Sequence, residues 1–495
     1  MDVEFLSAAG PPTGPGDALA VVVFEGGVLS PQAEALDAGS GLLRQALGGR
    51  FTGVRGALTL PACSAAAGAA VILIGAGRES DWNQRAAERA GAEALRAAEA
   101  FGARRLILDF PRGDPAWAAL AAFGAALAGY RFERHRTVLD AAKSASLARV
   151  ETVFEDVAAV RSAFAPLDAL REGVFFARDL ISEPANVLGP VEFGDRLLSL
   201  ESPGLSVEVL AEDELRSLGM DALIGVGAGS AAGTRLAVMR WAGADDPEAA
   251  PLALIGKGVT FDTGGVSIKP AAGLEEMKWD MGGAGAIAGA MVALARRRAR
   301  ANVVAVLALA ENMVDGASQR PGDVVRSMSG QTIEVVDTDA EGRLVLADAL
   351  WYARTRFKPR AMIDLATLTG AVMVALGQDY GGLFCEDDEL ADALLSAGRS
   401  CGEPLWRLPM PESYDRHIET PWADVRNVAL GIGRQGGASI AARFLRRFAG
   451  DGPWAHLDIS APVWDTRAPG LASGPGVNAF GVRLLDELVR QSFEP

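Results

Sequence analysis

Two clusters of charged residues in the second half of the chain have types and spacings suited to chemistry. In residues 335–350, Asp337, Asp339, Glu341 and Arg343 occupy alternate positions. The apolar run 332–336 before them reads as a strand, and the Ala/Leu-rich run 344–352 after them reads as a helix. In an extended segment alternate side chains share a side. The four would then converge at the carboxyl end of a strand, where open α/β sheets place their sites. Carboxylates brought that close repel one another unless a cation sits among them. A solvated turn also fits this stretch taken alone, because Asp and Gly are common turn residues.

The second cluster is Lys257, Asp262, Lys269 and Asp280. The run 252–258 predicts a buried strand that leads into Lys257-Gly258-Val259-Thr260-Phe261-Asp262. A lysine at the mouth of a buried strand beside a metal has its ammonium form disfavoured and can offer a neutral amine. A surface or phosphate-binding lysine fits the same positions. Asp262, Asp280, Asp339 and Glu341 together balance two divalent cations, which in two-metal sites stand about 3.5–4 Å apart. The three histidines, His135, His417 and His456, lie outside both clusters. A mononuclear, histidine-ligated zinc protease is therefore not expected. Zinc, manganese, magnesium and cobalt all suit a carboxylate-rich site.

The elements that must position these residues alternate along the chain. Strands are expected at 18–24, 69–74, 105–108 and 152–153, with helices at 42–47, 82–101 and 115–130, a pattern that implies a mostly parallel sheet. Gly75-Ala76-Gly77 lacks the third glycine of a dinucleotide fingerprint and the Lys-Ser/Thr of a phosphate loop, and reads as a turn. A polar stretch, 140–146, precedes the amphipathic helix 166–181, which reads as a connector. Further strands are expected at 223–229, 235–241, 302–311, 361–365 and 456–459, and a small-residue helix at 281–297. The fold class is thus α/β with two domains. A smaller N-terminal α/β domain (1–165) and a connecting helix (166–183) precede a larger α/β domain (184–495). The larger domain has a mixed, mostly parallel central sheet flanked by helices, and it carries the site.

At 495 residues the chain is long enough for two or three domains. Its net charge of −16 lacks the basic footprint of a nucleic-acid binder. Cys63, Cys385 and Cys401 are too few and too scattered for a disulfide framework, which predicts a reducing, cytoplasmic setting. Residues 1–5 lack the basic-then-apolar order of a signal peptide, and no run of about 18 apolar residues marks a membrane span.

Asp337-Thr338-Asp339-Ala340-Glu341-Gly342-Arg343-Leu344 resembles the Asn-Thr-Asp-Ala-Glu-Gly-Arg-Leu signature of the leucyl (cytosol) aminopeptidase family. Lys257 to Asp262, Gly264-Gly265-Val266-Ser267-Ile268-Lys269-Pro270 and Met277 to Met281 resemble its other signature segments, in order and spacing. Arg178-Asp179-Leu180, Pro184-Ala185-Asn186-Val187-Leu188, Arg320-Pro321-Gly322-Asp323-Val324, Ala366 to Gly370 and His456 to Ile459 extend the resemblance over most of 175–495.

The resemblance implies a dinuclear-metal aminopeptidase, with manganese or zinc, in which a metal-bridging hydroxide attacks the peptide bond. It implies one metal on Lys257, Asp262, Asp280 and Glu341, and the other on Asp262, Asp339 and Glu341. Lys269 is implied as the oxyanion-stabilising cation, and Arg343 as the holder of a bicarbonate general base. Met277, Thr367 and Gly370 are implied to line the pocket for the first side chain, which suits leucine and other apolar residues. Peptide substrates and a homohexamer are implied as partners. The chain departs from the family at Asp337, where Asn is usual, and at Gly282, where Cys is common. A phosphatase-like two-metal hydrolase and a DNA-binding regulatory role are the alternatives. Only Lys257, Lys269 and Arg343 would serve the first, and the net charge disfavours the second.

Overall fold

The computed structural model describes residues 1–7, 14, 16–27, 29, 33–34, 37–38, 41–49, 56–60, 70–110, 113–138, 147–200, 204–433, 435–465, 471 and 476–495. Cys63 and the polar stretch 140–146 lie outside the described residues. Backbone contacts divide the chain between Arg171 and Glu172.

The first unit holds β1 (Asp2–Leu6), β2 (Asp17–Phe24), β3 (Gly56–Leu60), β4 (Ala70–Gly77), β5 (Arg105–Asp109) and β6 (Arg149–Val153). They form one sheet in the order β1-β6-β5-β2-β4-β3, parallel except for β3 at its edge. Val-rich β2 is buried over most of its length, as a central parallel strand covered on both faces must be. Gly75-Ala76-Gly77, expected as a turn, continues β4. The helices Gln84–Ala100 and Pro115–Ala128 are rich in alanine and pack closely on each other.

The helix expected from Pro166 begins earlier. It runs from Val157 to Ser182 with Pro166 inside. Asp156 accepts a hydrogen bond from Ala159 N (3.0 Å), which starts the helix upstream of the proline. The division between the units therefore falls within this helix.

The second unit holds β7 (Leu205–Leu210), β8 (Arg235–Ala242), β9 (Leu252–Asp262), β10 (Asn302–Asn312), β11 (Val324–Arg326), β12 (Thr332–Glu334), β13 (Ala361–Ala366), β14 (Gly381–Cys385), β15 (Leu405–Arg407), β16 (Val425–Arg426) and β17 (Trp454–Asp458). The main sheet has the order β15-β14-β17-β13-β9-β10-β8-β7. Its centre, β17-β13-β9-β10, is parallel. Asp262, Asn312, Ala366 and Asp458 thus end neighbouring strands at one edge. β11, β12 and β16 form a separate small sheet. Val304, Val306, Ala308 and Ala310 alternate along β10 and pack into one core with Leu344, Val345 and Phe444. The helix Gly282–Arg296 is buried along nearly all its length, and Gly289 is so close to Gly173 that a β-carbon would meet Gly173 O at 2.4 Å.

Residues 223–229, expected as a strand, begin inside a helix instead, Asp221–Gly227. Tertiary hydrogen bonding overrides the apolar run. The buried Asp348 accepts from Leu223 N through Oδ2 (2.9 Å) and from Met328 N through Oδ1 (2.7 Å). Burial pushes the Asp348 carboxyl up to about 7.

Candidate active site

At the carboxyl edge of the central strands the two charged clusters meet. Lys257, on β9, is buried. Its Nζ donates to Asp280 Oδ1 (2.8 Å) and to the Thr367 carbonyl (2.7 Å). It also lies 2.7 Å from Glu341 Oε1, an ionic contact outside hydrogen-bond angles. Lys269 Nζ stands 2.7 Å from Asp262 Oδ2 and contacts Asp339 Oδ1. Each lysine thus joins two of the four carboxylates.

The turn after β9 is fixed by backbone bonds to these side chains. Asp262 Oδ1 accepts from Gly264 N (2.9 Å) and from Asn312 Nδ2 (2.8 Å). Gly264 has φ +87°, and a β-carbon there would meet Asp339 Oδ1 at 2.8 Å. Glycine answers both demands, the left-handed backbone and the close approach. Thr338 Oγ1 accepts from Ser267 N (2.8 Å) and donates to Gly264 O (2.7 Å), which ties the turn to the second cluster.

Residues 337–343 are not the extended run expected from their alternation. Asp337 Oδ1 accepts from Asp339 N (3.0 Å) and closes a tight turn. Glu341 has helical dihedrals (φ −76°, ψ −34°), and the helix begins at Gly342 and runs to Phe357. The residues converge because a turn and a helix start fold them together, not through strand periodicity. Asp337 also lines the cleft, and the bond its Oδ1 makes is one an asparagine oxygen can make equally well. At Gly282, where the family commonly has a cysteine, the space is filled by neighbours. A β-carbon there would meet Val463 Cγ2 at 2.6 Å.

Burial opposes charge throughout the cluster, and the balance differs group by group. Burial first, and then repulsion from Glu341, pushes the Asp262 carboxyl up to about 6. Burial raises Asp280 well above the usual carboxylate range and also raises Asp339. Burial opposes the charge of Glu341 too, but the Lys257 and Lys269 ammoniums hold its carboxyl below its ordinary value. Burial would lower Lys257 and Lys269, and the surrounding carboxylates outweigh it and raise both.

The donor set fits a divalent cation. Ligand oxygens of Asp262, Asp280 and Glu341 lie within 4.8 Å of one another, and all three residues are buried. Asp280 Oδ2 is buried without a hydrogen-bond partner. A bare anionic oxygen inside a ring of carboxylates is costly unless a cation neutralises it. Asp339 stands outside this triad, across Lys269, with 37% of its side chain exposed.

A cleft of about 560 Å³ opens over the cluster. Its lining includes Lys257, Asp262, Lys269, Asp280, Asp339, Glu341 and Arg343, and also Met277, Thr367 and Gly370. With Asp337, all eleven residues of the two clusters and the expected pocket therefore border one cavity. Burial pushes the Arg343 guanidinium down to about 10. Arg343 Nη1 donates to Asn427 O (2.5 Å), and its buried Nε has no partner. The Thr367–Gly370 wall is held from below by Asp458, which accepts from Thr369 Oγ1 through Oδ2 (2.6 Å) and from Leu368 N through Oδ1 (3.2 Å). Asn312, Asn427 and Asp458 had no role in the sequence reading. Their side-chain bonds to the site's turns and walls span 26 to 91 residues of chain, and isolated polar residues carry no signal of such distant bonds.

A mixed α/β sheet, parallel at its centre, with a cation-ready carboxylate ring at its carboxyl edge has the form of a metal-dependent enzyme. Residues 175–486 match the cytosol aminopeptidase family, catalytic domain, and residues 20–138 match that family's N-terminal domain. The chain belongs to the cytosol aminopeptidase family, and so is a metallo-exopeptidase. It is 50% identical over 480 residues to a probable cytosol aminopeptidase of Caulobacter vibrioides, covering 96% of this chain and 97% of the relative. A probable cytosol aminopeptidase of Brucella melitensis is 54% identical over 76% of this chain and 77% of its own length. Among solved structures, a tomato leucine aminopeptidase variant superposes with a TM-score of 0.85 at 30% identity, covering 99% of this chain and 96% of its own. The bottromycin maturation enzyme BotP in complex with Mn gives 0.81 at 34% identity, covering 96% and 98%. No helix among the described residues is long and apolar enough to cross a membrane.

Proposed function

We propose that this chain is a dinuclear-metal aminopeptidase that releases N-terminal leucine and other apolar residues from peptides. The observation that carries the reading is the partnerless, buried Asp280 Oδ2 within the Asp262–Asp280–Glu341 triad. Asp262, Asp280, Glu341 and Lys257 would hold one cation, and Asp262, Asp339 and Glu341 the other. Two such cations, manganese or zinc, supply an activated water at neutral pH and Lewis-acid pull on the carbonyl. Manganese is the metal named with BotP.

The chain's own groups then divide the work. Lys257, whose ammonium is held by Asp280 and Glu341, would give up its proton and serve as an amine ligand if a cation occupied the ring. Lys269 presents a fixed positive charge to the oxygen that becomes negative in the tetrahedral intermediate. Arg343, with its buried Nε unpartnered, would hold an oxyanion such as bicarbonate, which could accept the proton of the attacking water. Met277, Thr367 and Gly370 offer the first side chain an apolar wall, with modest discrimination per methylene. A neutral substrate α-amine would add a ligand at the cation site, so a blocked N-terminus would not be accepted. A cytosolic homohexamer belongs to the same reading, and sedimentation equilibrium tests the assembly.

The deciding experiment combines Asp339→Ala and Glu341→Ala with metal analysis. Each variant loses hydrolysis of leucine p-nitroanilide and binds less metal. Full activity in either pure variant overturns the assignment, and cleavage of N-acetyl-leucine p-nitroanilide overturns the free-amine requirement.

A further inference from the structure

Asn427 lies just beyond β16 and is fully buried. All four of its polar groups engage the segment Glu334–Arg343. Its backbone N donates to Glu334 O (3.0 Å). Its Oδ1 accepts from Val336 N (2.8 Å) and Asp337 N (3.3 Å). Its Nδ2 donates to Asp337 O (2.6 Å) and Ala340 O (3.4 Å). Its backbone O accepts from Arg343 Nη1. One residue therefore spans the whole turn that presents Asp339 and Glu341, and also fixes the guanidinium that follows them.

The primary amide is what this place requires. The turn offers backbone N–H groups at 336 and 337 and carbonyls at 337 and 340. Only a side chain with an acceptor and a two-proton donor on one short stem satisfies both. A carboxylate meets the N–H groups and leaves the carbonyls facing a buried negative charge. Alanine leaves all four groups without the partner they now share, beside a fully buried side-chain position.

From this we infer that Asn427 is a positioning residue for the metal-ligand turn, setting Asp339 and Glu341 in register with Asp262 and Asp280. The inference rests on the metal reading above. Groups that orient ligands in this way typically govern metal affinity or activity by about 10–100-fold. Asn427 does not line the cleft, and the wall that receives the substrate side chain is held separately by Asp458. Its loss is therefore expected in metal affinity and kcat, with KM for leucine p-nitroanilide unchanged.

The test is calorimetric titration of the full-length protein with manganese, for wild type, Asn427→Ala and Asn427→Asp, alongside kcat, KM and circular dichroism. Folded variants should bind manganese about 10–100-fold more weakly and turn over more slowly at unchanged KM, and excess manganese should restore part of kcat. Should N427A fail to fold, the near-isosteric N427D decides, since it keeps the acceptor, loses the donor and sets a negative charge against the Asp337 and Ala340 carbonyls. Wild-type manganese affinity in a folded variant overturns the role of Asn427, even if its thermal stability has fallen. Wild-type protein that binds no manganese, or binds it unaltered by Asp339→Ala, overturns the metal reading instead.

Discussion

Lys257 passes Gly342 so closely that a β-carbon on Gly342 would lie 2.8 Å from the lysine's Nζ, Cε and Cδ. Lys257 has little freedom to move aside, since its ammonium is held by Asp280, Glu341 and the Thr367 carbonyl. In an exposed helix interior, Gly→Ala is stabilising by about 1 kcal/mol. Here the first helical residue is pressed against the site. Gly342→Ala is expected to displace the ammonium, cutting kcat by roughly tenfold or more for a shift of about 1 Å. Metal content and kcat, measured against the far-ultraviolet dichroism of the same sample, check this. Unchanged kcat means the lysine relaxes freely.

Lys269→Ala removes the charge shared by Asp262 and Asp339. Turnover of leucine p-nitroanilide is expected to fall by roughly 100-fold or more, the scale of losing one oxyanion-stabilising group. Bound metal, measured by atomic absorption, is expected to stay at the wild-type level. Loss of metal would reassign Lys269 as a ligand.

Thr369→Val separates pocket from chemistry. Thr369 Oγ1 donates to Asp458 and also accepts from Val372 N (3.1 Å), capping the helix Gly370–Leu376. A lost cap costs about 1 kcal/mol of local order. KM for leucine p-nitroanilide is expected to rise severalfold while metal content and kcat stay near wild type. A fall in kcat at constant KM contradicts this division.

Asp348 sets a pH dependence of stability. Its folded-state carboxyl titrates at about 7, above the unfolded value of about 3.9. The folded state therefore binds the proton more tightly than the unfolded state. The stabilising contribution is complete below about pH 4 and declines as pH rises through about 7. Asp348→Asn removes the titration and replaces one acceptor facing Leu223 N or Met328 N with a donor. Calorimetric melting across this range should give a variant with lower Tm in acid and a smaller loss of Tm toward neutrality. A parallel offset at every pH contradicts the assignment.

What the sequence disclosed followed from pattern. Lys257 and Asp262 lie on and at the end of an apolar run, so a buried strand and its carboxyl edge could be inferred. The grouping of Asp337, Asp339, Glu341 and Arg343 was also legible, though their local geometry was not. Alternation suggested an extended segment, whereas Asp337 closes a turn and Glu341 already has helical dihedrals. The helix at Asp221 was missed because its deciding bond comes from Asp348, 125 residues away. Long-range bonding over 26 to 91 residues likewise hid Asn312, Asn427 and Asp458.

β17 enters the main sheet between β13 and β14, and its last residue is Asp458. The sheet's central order is therefore incomplete until residue 458 has left the ribosome. Long-range pairing of this kind closes slowly. Residues 257–343 emerge well before the strand whose end supports the cleft wall. A nascent chain can thus carry every proposed ligand and still lack a finished cleft. Peptidase activity would report the insertion of β17, and fragments ending short of residue 458 should be inert toward neighbouring nascent chains.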